Sequence, residues 1–226
     1  VPSDDVYGLV VWSNNEVAGT FDIRIGPAPA TLADDVSFLS SLDLRLFDYD
    51  AVGGYWGVLG SRPLGASDVD LSLFADANYQ TLLDESAYTA QAVDFIAVDY
   101  NHASSTADYL RVNRDVGADN HRTEFEQGSE ILDGYEPFTW ESNDVADIWD
   151  TFLTGSIPYF FRQYHSNVSG FDSGIYLMGS TDGDYYKSRN DLLDFSNSRA
   201  MNEGGEWFAY TPATSDWYGM VVLGND

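Results

Sequence analysis

Aspartates set one or a few residues apart, in a chain with few side chains able to neutralise them, are the residues here best suited to chemistry. Asp68 and Asp70 stand two apart at the entrance of a strand-like run, Asp94 and Asp99 flank another, and Asn101 follows two residues after Asp99. Asp182 and Asp184 bracket the glycine of the turn Thr181-Asp182-Gly183-Asp184. Carboxylate and amide oxygens converging from the loops of a β-sandwich form a hard-oxygen set, which suits calcium. The spacing predicts a calcium site drawn from Asp68, Asp70, Asp94, Asp99 and Asn101, and a second from Asp182 and Asp184. The alternative at each position is a turn cap or a solvated edge.

Other chemistry is hard to find. The sequence holds no Gly-x-Ser-x-Gly elbow, no His-Glu-x-x-His pair, no phosphate-cradling glycine loop and no cysteine. His102, His121 and His165 stand beside Asn, Arg or Ser, which predicts loop residues rather than bases. A glycosidase-like carboxylate pair needs only a suitable separation in space, so 37 acidic residues leave room for one. The expectation is nevertheless a protein without catalysis of its own.

Charge narrows the partners. With 37 acidic against 10 basic side chains the net charge is −27, which opposes binding to nucleic acid or to an anionic membrane surface. The acids are mainly aspartate, a turn and cation-ligand residue, and this fits a loop-rich β protein better than a helical one. No stretch has the length of a membrane span, so no membrane insertion is expected. Residues 1–4 lack signal-peptide character, so any export signal is expected to have been removed or to lie outside this sequence.

The elements that would position these groups are short strands. Leu42–Tyr49 alternates strictly, Val93–Tyr100 is the most strand-like run, and Tyr55–Gly60, Ser67–Phe74, Ala107–Val112, Ile157–Tyr164, Gly174–Met178, Glu206–Tyr210 and Trp217–Leu223 follow the same pattern. Helical periodicity is scarce, with a turn or two expected within Thr31–Ser41 and Ser188–Ser196. The tryptophans, Trp207 among them, are expected mostly in the core, and an exposed flat row of them would instead mark a sugar-binding face. The fold class read from this is all-β. Two tandem, jelly-roll-like β-sandwich modules are expected at 27–116 and 117–226, behind an N-terminal hairpin at 1–26.

The hairpin carries an internal repeat. Asp5-Val6-Tyr7-Gly8-Leu9-Val10-Val11 matches Asp216-Trp217-Tyr218-Gly219-Met220-Val221-Val222 without a gap, and Asn14 and Asn225 fall in the same register. The first copy continues into a second strand, Gly19–Gly26, which the other copy lacks. The second module thus reads as lacking its last strand, and an unpaired sheet edge invites another chain. Tyr7, Leu9, Val11, Phe21, Ile23 and Ile25 of one copy are expected to meet Tyr218, Met220 and Val222 of the next, giving a homopolymer that grows head to tail.

The order of these blocks resembles bacterial pre-peptidase C-terminal-type modules, on Asp68-Val69-Asp70-Leu71-Ser72-Leu73 with Val93 to Asn101, and on Gly174-Ile175-Tyr176-Leu177 with Trp217-Tyr218-Gly219. In the second unit Asp172-Ser173-Gly174 replaces the paired aspartates. The resemblance implies β-sandwich repeats of secreted or surface proteins, accessory or structural in role. The function expected is an extracellular structural subunit, or one period of a longer array, built by strand complementation at a bacterial cell surface. The alternative is a non-catalytic accessory module that binds carbohydrate or protein, with a glycan as partner.

Overall fold

The computed structural model describes residues 29–89, 92–102, 108–131, 139–163, 173–180, 183–197 and 205–224. The expected N-terminal hairpin, with Tyr7, Leu9, Val11, Phe21, Ile23 and Ile25, lies outside them, as do Asp182 and His165.

The strands follow as β1 (Ala30–Leu32), β2 (Phe38–Ser40), β3 (Leu44–Tyr49), β4 (Gly57–Pro63), β5 (Asp68–Phe74), β6 (Leu82–Ser86), β7 (Asp94–Val98) and β8 (Asp108–Val116). Then come β9 (His121–Gln127), β10 (Ser129–Glu130), β11 (Ala146–Leu153), β12 (Tyr159–Arg162), β13 (Ser173–Gly179), β14 (Tyr186–Lys187), β15 (Asp194–Ser196), β16 (Trp207–Tyr210) and β17 (Asp216–Gly224). No α-helix forms among the described residues, and none is therefore long and apolar enough to cross a membrane. The Thr31–Ser41 window holds β1 and β2. The Ser188–Ser196 window holds one 3-10 turn, Arg189–Asp191, closed by the Ser188 N–H donating to the Asp191 carboxylate at 3.0 Å.

Four sheets result. The first is ordered β1-β3-β8-β5-β6, the second β14-β7-β4-β9-β2, the third β10-β11-β17-β13-β15, and the fourth is the pair β12-β16. They stack in that order, because side chains alternate along each strand and each face finds an apolar partner. Leu71, Leu73, Leu110 and Val112 of the first sheet pack on Leu59, Ile96, Val98 and Phe125 of the second. The opposite face of the second sheet, with Val58, Phe95 and Ala97, packs on Ile148, Tyr176, Met178, Val221 and Leu223 of the third. The far face of the third sheet, with Trp149, Ile175, Leu177, Tyr218 and Val222, packs on Phe161 and Phe208 of the fourth. The chain is all-β and sandwich-like, and its second and third sheets are covered on both sides.

Three sequence expectations change. The division at 116/117 cuts through the first sandwich, since β9 lies between β4 and β2. From the other half of the chain, β14 also adds to the second sheet, pairing Tyr186 with Val98 and Lys187 with Ala97. The closing strand is not an open edge: β17 is hydrogen-bonded to β11 on one side and β13 on the other. Tyr218 and Val222 are consequently buried and Met220 is half-buried, so none of the three can receive a strand from outside. Among the described residues, the edge strands of the third sheet are β10 and β15.

Close approach of the two central sheets needs a glycine at position 219. A Cβ there would stand 2.6 Å from the Trp56 ring, which is itself fully buried. Gly219→Ala is expected to lower stability by roughly 1–3 kcal/mol through overpacking, read as a lower denaturant midpoint with an unchanged slope.

Candidate cation site

Asp68 opens β5, with a register irregularity between Asp68 and Val69, and Asp70 follows two residues on. Asp94 opens β7 in the adjoining sheet. Asp68, Asp70 and Asp94 each offer a carboxylate oxygen, and the three oxygens lie within 4.8 Å of one another. Two ligands on opposite sides of a calcium ion are separated by about twice the metal–oxygen distance, or about 4.8 Å, so this spacing is one that calcium can bridge. The Asp94 side chain is fully buried. Its Oδ1 accepts hydrogen bonds from the Ser86 hydroxyl and from the Tyr88 N–H at 2.9 Å, whereas its Oδ2 and Oδ1 of Asp68 have no hydrogen-bond donor.

The local charge is strongly negative. Burial pushes the Asp94 carboxyl up to about 7, and Asp70 adds to the rise, while the Ser86 and Tyr88 hydrogen bonds and the nearby Arg189 charge oppose it. Asp70 is raised by burial first and then by Asp68, Asp115 and Glu85.

The other expected ligands stand elsewhere. Asp99 follows the last residue of β7, a whole strand away from Asp94; its carboxylate accepts the Asn101 N–H at 2.7 Å, and its own N–H donates to the Tyr185 carbonyl at 2.8 Å. Asp99 and Asn101 thus form a turn that holds the strand carrying β14. Asp184 likewise caps a turn, accepting the Tyr186 N–H at 3.1 Å, while its carbonyl accepts from Lys187 Nζ at 2.8 Å.

A second acidic group escaped the sequence reading. Along β9, Phe125 faces the first sheet, so Glu124 and Glu126 take the opposite side, towards the start of β11. There Asp35, Glu126, Glu141, Asp144 and Asp147 line a cavity of about 250 Å³. Oxygens of Asp35, Glu124 and Asp144 come within 4.8 Å of one another, but Glu124 already accepts the N–H groups of Val145 at 2.5 Å and Ala146 at 3.3 Å. It caps the entry to β11. Burial first, then neighbouring carboxylates, push Glu126 up to about 9 and Asp147 to about 7; Glu124 reaches about 7 despite its hydrogen bonds. The signal available in the sequence was Glu-Phe-Glu within a strand.

Of the histidines, His102 lies in the loop after β7, as expected, whereas His121 opens β9, and both are buried. His102 Nε2 lies 3.2 Å from Asp108 Oδ2, which also accepts the hydroxyls of Tyr186 at 2.9 Å and Tyr49 at 3.3 Å. This polar knot joins the first sheet to β14. Burial, and next the charge of Arg114, lower His121 to about 4.

No family model matches the chain, and no curated protein matches it. Among solved structures, the chain is similar to dimeric latent PorU from Porphyromonas gingivalis at 9% identity and a TM-score of 0.23, over 88% of this chain and 21% of that one. The chain thus spans about a fifth of PorU's length, and a superposition this loose leaves the fold and the sites to be argued from their own residues.

The raised carboxyls fix the sign of a pH effect. Glu124, Glu126 and Asp147 hold protons more tightly folded than unfolded, where carboxyls titrate near 4, so their contribution favours the folded state below that value and is lost as pH rises through about 7 to 9. His121 opposes this only below its ordinary value of about 6.5. In low salt without divalent ions, the melting temperature is expected to be higher at about pH 6 than at about pH 9, and Glu126→Gln should shrink the difference. A melting temperature that rises with pH across this range would refute the account.

Proposed function

We propose that this chain is a structural unit of an extracellular, head-to-tail assembly at a bacterial surface, with calcium as a structural ion at Asp68, Asp70 and Asp94. The observation that carries the proposal is the burial of β17. Tyr218, Val221 and Val222 lose nearly all contact with water, and the strand has neighbours on both sides. Residues 5–11 repeat this sequence, so they are composed for a strand between apolar layers, and β17 already occupies that place in its own chain. A strand of this composition is stabilised by adding to an edge elsewhere. Among the described residues, edges without a neighbouring strand exist at β10 and β15, where Phe195 is half exposed, and on both sides of the fourth sheet. The pre-peptidase C-terminal-type motifs support the same reading, as modules of secreted and surface proteins.

Joined covalently, the same repeat gives a long tandem array; joined by strand addition, it gives an assembly of separate chains. Denaturing gels of native material distinguish them, at a mass near 25.0 kDa or far above it. For separate chains, deletion of residues 1–26 is expected to abolish assembly, followed by electron microscopy and light scattering. Filaments that persist after the deletion would overturn strand addition.

A specific observation favours a second reading, a carbohydrate-binding module. On the outer face of the fourth sheet Phe160 and Trp207 are 61% and 40% exposed, and their rings lie 5.4 Å apart at a tilt of 34°. Arg162, paired with Trp207, shares that face, and the small Ala209 leaves Phe160 uncovered. Trp207 was expected in the core; strand alternation instead puts its neighbour Phe208 there. Two open rings of this kind can stack on sugar faces. The reading predicts quenching of tryptophan fluorescence by a neutral oligosaccharide, lost in Trp207→Ala. Dispersed particles that bind glycan would favour this module over the assembly.

A further inference from the structure

The cation site lies where three of the four sheets meet. Asp68 and Asp70 belong to the first sheet and Asp94 to the second. Next to Asp94, the Val93 carbonyl accepts a hydrogen bond from Arg189 Nη2 at 2.9 Å. The Nη1 of the same guanidinium donates to the Tyr176 hydroxyl at 2.8 Å, and Tyr176 sits on β13 in the third sheet. The guanidinium carbon also lies 4.7 Å from the centre of the Tyr88 ring, 4.9 Å from that of Tyr176 and 5.6 Å from that of Phe95. The segment joining β6 to β7 therefore carries Tyr88 and Val93 against Arg189 at one point, and Asp94 among the carboxylates at the next.

Two features separate this group from ordinary surface acids. Asp94 is wholly buried, and its Oδ2 has no hydrogen-bond donor although Oδ1 has two. A second oxygen, Oδ1 of Asp68, is also buried without a donor. Leaving a buried carboxylate oxygen without a partner costs the full loss of its hydration, and a bound cation is the partner that would satisfy several such oxygens at once. Three carboxylates can supply up to about six oxygens in an irregular shell completed by water, which calcium tolerates and magnesium does not.

We infer that calcium held by Asp68, Asp70 and Asp94 is the clamp that seats the first sandwich on the second, acting through Val93 and Arg189 on Tyr176. This deepens the structural role proposed above and rests on its calcium reading. With the ion bound, repulsion among the three carboxylates is replaced by attraction to a common centre. Val93 and Asp94 are then fixed, and with them the platform on which Arg189 rests. Without the ion the Val93–Arg189 contact is the weak point between the two halves.

The test uses the full chain, titrated with calcium chloride after chelator treatment, with sodium chloride at matched ionic strength as control. Calorimetry reads binding, and amide hydrogen exchange reads β7 and β13 separately. Binding is expected at one site, and at about a hundred times the dissociation constant opening should slow by about a hundredfold in both strands. Asp94→Asn keeps the size of the side chain and is expected to abolish binding and both effects; Asp70→Asn, at a less buried position, should weaken them. Arg189→Gln is expected to leave calcium binding and the protection of β7, while losing that of β13. Calcium that binds but protects only β7 would overturn the clamp and leave the site standing. No binding, or equal protection by sodium, would overturn the calcium reading itself. Neither result touches the strand-addition proposal, which the 1–26 deletion tests.

Discussion

Apolar burial on both faces of the second and third sheets is the constraint on which the rest of this fold depends. A sheet in an ordinary sandwich alternates apolar and polar residues, because one face meets water. Here β4, β7 and β13 are buried along their whole length. That leaves polar groups few positions in the middle of the molecule, and puts glycine where sheets approach most closely. Gly60, whose Cβ would stand 2.9 Å from the Ala146 Cβ, marks the same tight contact as Gly219. The two sandwiches are therefore joined through a shared apolar layer rather than by a linker.

Charge is distributed around this stack rather than through it, with informative exceptions. Some carboxylates enter the seams between sheets near strand starts, Asp94 at β7 and Asp144 and Asp147 at β11, whereas Glu124 and Glu126 enter from within β9. Each of these groups is raised in pKa because burial penalises its charged form. Ten basic residues cannot neutralise 37 acids, and the raised carboxyls of the seams take up protons more readily than free ones. Asp150, pushed to about 6 by burial even while accepting the Trp56 N–H at 2.7 Å, shows the same tension beneath the shared layer.

Much of the architecture could be read from residue order, and the failures have physical reasons. The run Val93–Tyr100 looked like a strand because both its faces are apolar; β3 and β5 fall within runs read as strands, and β8, β13 and β17 overlap such runs but extend beyond them. Asp68 and Asp70 could be grouped because a strand entrance keeps positions two apart on one side, and Asp94 joins them because β7 begins beside them. Asp99 and Asn101 were grouped with them only by nearness in sequence; an extended strand of five residues carries its ends well apart. Glu124, Glu126 and Asp147 could not be grouped, since their meeting depends on how the second sheet is laid on the third. β14 is two residues long, too short for any periodicity, and the module boundary was misplaced because this strand and β9 do not respect it.

The pairing of β14 with β7 also bears on how the polypeptide is made. On a ribosome, residues 94–98 emerge long before residues 186 and 187, so the second sheet keeps a bare edge while β8 to β13 are being synthesised. Tyr186, which completes the first core and closes the polar knot at Asp108, arrives equally late. Contacts of such high sequence separation slow folding and leave a nascent edge open to wrong partners. The first sandwich therefore gains its last strand only after residues 186 and 187 have been made, late in synthesis.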